Sequence, residues 1–166
     1  MSGERINDRP VLAVDVDGVI SLFGFKVPLE QAPCKFQLID GMAHCISLEV
    51  GERLQLLAPH YDLVWATGWE DRANEYLLHL LGLRRMPVIR FGNAAKFGSA
   101  HWKLGPIESY ATGRRLAWVD DSFDDSCHGW ARDRSEPTLL IPTEPTAGLQ
   151  DSDVETLIGW ARDDAG

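Results

Sequence analysis

Short unbroken apolar runs alternate along the chain with longer stretches whose apolar residues fall at helical spacing. Val11-Leu-Ala-Val14 is the first such run and reads as a buried strand, most simply a parallel one, since both faces must be covered. The same pattern recurs over 61–66 and 116–119. Each run ends in polar residues: Asp15 and Asp17 before Gly18, then Thr67-Gly68, then Asp120-Asp121. Further strands are expected at 86–91 and 138–141. Helical spacing places helices over 48–58, with Ser47 as N-cap and Pro59 as the stop, and over 70–81, with Gly82 as C-cap and Glu70-Asp71 as helix-start charge. Shorter helices are expected at 107–111 and 124–134, and a C-terminal one at 151–162 capped by Asp151 or Ser152. Residues 20–33 carry Gly24, Pro28 and Pro33 and read as irregular, with at most a short helical piece. Two apolar runs around Asp40-Gly41 read as a β-hairpin over 35–46.

Strands alternating with helices argue for an α/β fold with a doubly wound, mainly parallel, Rossmann-like sheet. With 166 residues, 45% hydrophobic and 25% charged, one domain spanning 1–166 is expected. No apolar run approaches the roughly 18 residues a bilayer requires, and Met1 to Pro10 is polar without a leader-like apolar core, so a cytoplasmic protein without membrane association is expected. Cys34, Cys45 and Cys127 form no C-x-x-C pair and read as buried free thiols of a reducing compartment. A net charge of -9 weighs against a broad nucleic-acid surface, although Arg84-Arg85 with Arg90 forms a local basic patch.

In open α/β sheets, ligands bind at the carboxyl ends of the strands. Three strand ends would therefore bring Asp15, Asp17, Thr67, Gly68, Asp120 and Asp121 to one edge, with Lys103 shortly before the third strand. Clustered carboxylates repel one another, and a hard divalent cation with oxygen ligands, Mg²⁺ by preference, relieves that repulsion. A lysine, a hydroxyl and a free backbone N–H complete a phosphate cradle. Lys96 is a second candidate for the lysine, and Asp124 and Asp125 are alternatives for metal binding or for a helix start.

In this order, D-x-D-G-V, a strand-terminal Thr, a downstream Lys and a strand-terminal Asp-Asp resemble the four motifs of the haloacid dehalogenase (HAD) superfamily. The resemblance runs from Val11 to about Asp125. It implies a HAD-like fold and a Mg²⁺-dependent phosphohydrolase that acts on a phosphomonoester through an aspartyl-phosphate. Asp15 would be the nucleophile and Asp17 the general acid and base, its backbone carbonyl also on the metal. Thr67, Gly68 and Lys103 would hold the phosphoryl group, and Asp15, Asp17, Asp120 and Asp121 the metal. The intervals between motifs leave no room for a cap domain, only for the small hairpin as a flap, which suits a large or macromolecular substrate. The segment from Trp65 to Asn74 also looks like the small HAD domains found with RNA-repair proteins, making a nucleic-acid end phosphatase one alternative. A non-catalytic HAD-fold binding or regulatory module is another. Trp65, Trp69 and Trp118 read as core, and the five histidines lack metal-ligand spacing, with His101 of interest for its closeness to Lys103.

Overall fold

A computed structural model describes residues 9–92, 96 and 98–163. The polar N-terminal segment of the sequence reading lies almost wholly outside the described residues, as does part of the loop at 92–100. The central sheet consists of β1 (Val11–Val14), β5 (Asp62–Trp65), β6 (Leu116–Asp120) and β7 (Thr138–Pro142) in the order β5-β1-β6-β7, and every pairing is parallel. β1 is fully buried at the centre, as its unbroken apolar run requires. Its alternate side chains feed two cores. Leu12 and Val14 pack with α1 (Leu48–Leu57), α2 (Asp71–Leu81) and α5 (Asp151–Asp163), while Val11 and Ala13 face α3 (Leu104–Tyr110) and α4 (Asp125–Asp133). Helices thus cover both faces, giving the doubly wound α/β fold expected from the alternation of periods. Among the described residues no helix is long and apolar enough to cross a membrane.

A second, antiparallel sheet carries the hairpin: β3 (Lys35–Ile39) and β4 (Met42–Ile46) turn at Asp40-Gly41, both with positive φ, as the D-G signal demands. Only this sheet, a short 3₁₀ turn and α1 occupy the chain between β1 and β5, and no cap is inserted there.

Several local expectations are corrected. Residues 20–33 contain, besides a 3₁₀ turn at Leu29–Gln31, a two-residue strand, β2 (Ser21–Leu22), paired with β4; two residues are too few to show a period. Residues 86–91 are not a regular strand. Trp65 donates to the Pro87 carbonyl and Ile89 to the Trp65 carbonyl, but Pro87 has no N–H and the pairing stops at Val88. Ser47 does cap α1, accepting from the Val50 N–H at 3.3 Å. Asp151 and Ser152 instead lie inside α5, and Asp153 reaches back to the Gln150 N–H at 2.9 Å. Cys34 and Cys45 form a disulfide, leaving Cys127 as the buried free thiol. The hairpin register explains it: Phe36 pairs with Cys45, so Cys34 sits diagonally across the strand pair with Cα atoms 5.3 Å apart. The support that free thiols gave a cytoplasmic placement goes with this correction.

Candidate active site

β1 lies between β5 and β6, and the helices that leave those strands, α2 and α4, pack on opposite faces of the sheet, so its carboxyl end is a topological switch point. The ladder continues one residue past the strand, where the Asp15 N–H donates to the Val119 carbonyl at 3.1 Å. Asp15 is thereby fixed beside the end of β6. The chain then turns back within one loop: the Ile20 N–H donates to the Val16 carbonyl at 2.9 Å and the Gly18 N–H to the Ser21 carbonyl at 2.8 Å. Gly18 has φ +79°, and a Cβ there would overlap the Asp121 carboxylate. Glycine is required at this position because a carboxylate occupies the space beside it.

Lys103 ends a 3₁₀ turn (Ala100–Lys103) that Ser99 caps, and it is buried. Its ammonium lies 3.0 Å from Asp15 Oδ1, 2.6 Å from Asp120 Oδ2 and 2.9 Å from the Ala66 carbonyl, so all three of its donors have partners. Asp120 also accepts from the Ser122 N–H at 3.0 Å, and Asp121 from the Ser122 hydroxyl at 3.0 Å. One carboxylate oxygen each of Asp15, Asp120 and Asp121 lie within 4.8 Å of one another. One ammonium cannot neutralise three neighbouring carboxylates. Burial accordingly pushes the Asp15 carboxyl up to about 8, with Lys103 pulling it down and Asp120 pushing further up. Burial and the charge of Asp120 likewise raise Asp121, partly opposed by the Ser122 hydroxyl. For Lys103 burial works against the charged form, but the two carboxylates outweigh it and the ammonium is held. An all-oxygen donor set with excess negative charge, beside a glycine that makes room for it, fits a hard divalent cation of the Mg²⁺ type.

These groups line a cavity of about 270 Å³ that also includes Asp17, Gly68, Lys96 and Trp102. Asp17 is exposed, and its Oδ2 accepts from the Trp69 indole N–H at 3.2 Å. Thr67 is buried at the end of β5, its hydroxyl oxygen accepting from the Trp69 N–H at 3.1 Å. Of the two lysines, Lys103 contacts the carboxylates, whereas Lys96 lines the cavity wall and pairs with Glu70 at 3.3 Å. Asp124 stands apart from the cluster as the N-cap of α4, accepting from the Cys127 N–H at 3.1 Å, and Asp125 lies exposed in the first turn. His101 bonds the Ser126 hydroxyl at 2.7 Å and lies outside the cavity lining.

Trp65 and Trp118 are fully buried, as expected of core residues. Trp69 is more than that, because it joins Asp17 to the hairpin. Its ring meets His44 of β4 edge-on at 4.9 Å and lies under the Arg72 guanidinium at 5.3 Å. Arg72 and Tyr76 in turn hold Asp40 at the hairpin tip, at 2.6 Å and 2.8 Å. The sequence carries one trace of this connection, the placement of Trp69 two residues after Thr67. Phe23 and Trp102, which also line the cavity, were not singled out by their surroundings in the sequence.

No family model matches the sequence, and a search of curated proteins finds no match. Among solved structures, the HAD domain of effector protein Lem4 from Legionella pneumophila is similar, with a TM-score of 0.55 and 15% identity over 93% of this chain and 97% of that one. That likeness extends to the fold. It agrees with a HAD-like architecture.

Proposed function

We propose that this chain is a Mg²⁺-dependent phosphomonoester hydrolase that works through a phosphoryl group carried on Asp15. The observation that carries the reading is the Lys103 ammonium bridging Asp15 and Asp120 at the floor of a cavity, with an Asp121 oxygen close by. A binding module has no need of a buried cation aligned on a carboxylate that faces a cavity. A nucleophile whose charge must be held through phosphoryl transfer does.

Asp15, Asp120 and Asp121 would hold the metal, joined by the backbone carbonyl of Asp17. When bound, the ion would supply positive charge that keeps Asp15 ionised and offsets charge on the phosphoryl oxygens. The Asp15 oxygen attacks phosphorus, the bond from phosphorus to the leaving oxygen breaks, and Asp17 gives that oxygen its proton. Water then attacks phosphorus of the aspartyl-phosphate and gives a proton to the Asp17 carboxylate, the bond from phosphorus to the Asp15 oxygen breaks, and inorganic phosphate leaves with Asp15 restored. Thr67 through its hydroxyl hydrogen, Gly68 through its N–H and Lys103 through its charge hold the phosphoryl oxygens. Positioning and charge stabilisation dominate such transfers, with general acid work adding roughly 10²–10⁴-fold.

Hydrolysis of a generic aryl phosphate tests this. The expected result is turnover that requires Mg²⁺, is abolished by chelator and is lost in Asp15→Asn. Tight binding of Mg²⁺ and phosphate without turnover of any ester would point instead to a non-catalytic module.

A further inference from the structure

A second cavity, of about 630 Å³, opens on the other side of Asp17, and Asp17 and Phe23 line both. Its walls are Phe23, Val27, Leu29, Phe36 and Met42, contributed by the stretch after β2 and by the hairpin. These five are among the most exposed large apolar side chains described, and none belongs to either core. Single exposed apolar residues are ordinary, but five gathered around one depression form a surface built to be covered. The hairpin that carries two of them is held in place at both ends, by the Cys34–Cys45 disulfide and by the Arg72 and Tyr76 bonds to Asp40. The residues lining the cavity include no lysine or arginine, and Asp17 is their one carboxylate.

What covers this surface follows from its position. An acid that protonates the leaving oxygen must face the leaving group, so with the phosphoryl group over Asp15 and Lys103 the remainder of the ester lies on the Asp17 side. A sugar there would set most of its hydroxyls against Phe23, Val27, Leu29, Phe36 and Met42, with Ser21, His44 and Asp17 the polar side chains of the lining, and an oligonucleotide would bring further phosphates to a lining that includes no lysine or arginine. We infer that the substrate is a phosphomonoester whose leaving oxygen is carried by apolar hydrocarbon, an aromatic ring or an alkyl chain, seated between Phe23, Leu29, Phe36 and Met42. This rests on the phosphatase reading and adds to it the chemical class of the leaving group.

The test compares kcat/KM for 2-naphthyl phosphate, decyl phosphate and glycerol phosphate in the presence of Mg²⁺, for the unaltered chain and for Leu29→Ser/Phe36→Ser. Both substituted side chains are exposed, so folding is retained, and glycerol phosphate serves as the internal control. Loss of apolar contact is expected to lower kcat/KM roughly tenfold for an apolar ester, mainly through KM, while glycerol phosphate changes less than about twofold. Leu29→Met/Phe36→Leu restores the apolar ester. A selective loss on the naphthyl ester identifies an aryl group, on the decyl ester an alkyl chain, and on both an undiscriminating apolar site. Equal losses on all three esters, or none, overturn the inference while the phosphatase reading stands. Absence of turnover with every ester overturns the phosphatase reading and the inference with it.

Discussion

Replacing Lys103 by Met removes a charge and little volume, which makes it the sharpest probe of how the carboxylate cluster is held. Its ammonium lies 3.0 Å from Asp15 and 2.6 Å from Asp120, with almost no solvent access. At an effective dielectric constant of about 20, each contact carries roughly 5–6 kcal/mol of attraction, most of it offset by desolvation. Removing one partner leaves the others buried and uncompensated, a loss of about 3–5 kcal/mol when both carboxylates are charged. That loss depends on pH. The Asp15 carboxyl is raised to about 8 by burial, so the native state holds a proton there that the unfolded chain has released. Stability from this group is full below the unfolded pKa of about 4 and is lost as pH rises through about 8. The variant loses the counter-charge and steepens that slope. Urea unfolding without metal should show about 3–4 kcal/mol of destabilisation near pH 9.5, where Asp15 is ionised in the unaltered chain, but only about 1–2 kcal/mol near pH 5, where a protonated Asp15 can donate to Asp120. Saturating Mg²⁺ should recover part of the difference at the higher pH. Equal destabilisation at both pH values, or none near pH 9.5, would refute the reasoning.

Gly18→Ala adds a Cβ where the Asp121 carboxylate lies and strains a backbone with φ +79°. Calorimetric titration should show Mg²⁺ affinity reduced by about tenfold or more, with a folding cost of about 1 kcal/mol or somewhat above. Trp69→Phe keeps the ring in the core but removes the N–H that Asp17 accepts. Steady-state kinetics should show kcat lowered about 2–10-fold with KM little changed, the size of one hydrogen bond. Asp124 is held below the usual carboxylate range chiefly by the Ser126 and Ser99 hydroxyls. Its contribution is therefore present above the unfolded pKa of about 4 and lost as pH falls below it; thermal melts of Asp124→Asn should show a shallower acid limb, while activity near neutral pH is retained.

The central strands could be read from the sequence because a strand buried on both faces must be apolar throughout. The hairpin could be read because Asp40-Gly41 needs positive φ at both positions. Features that depend on partners distant in sequence were less visible. β2 is defined by two residues that pair with Ile46 and Cys45, not by any period of its own. The Cys34–Cys45 bond follows from hairpin register rather than cysteine spacing. At the site, the acids, Thr67 and Lys103 stood out as polar interruptions of apolar runs. Phe23 and Trp102 line the cavity and Trp69 donates to Asp17, but an aromatic residue reads equally well as core, and only tertiary placement separates the two. The sequence favours Lys103 over Lys96 by its place just before the helix that leads into β6; geometry adds that Lys103 contacts Asp15 and Asp120 although both lysines line the cavity.

The central claim, that Asp15 carries the phosphoryl group, is tested most directly by quenching the protein during turnover of an aryl phosphate and locating the bound phosphate by peptide mass spectrometry. Asp17→Asn, which should slow release of the group more than its formation, is the variant to trap. A phosphoryl group is expected on the peptide containing Asp15 and is expected to be absent in Asp15→Asn. Turnover that persists in Asp15→Asn, or a phosphoryl group found on another residue, would contradict it.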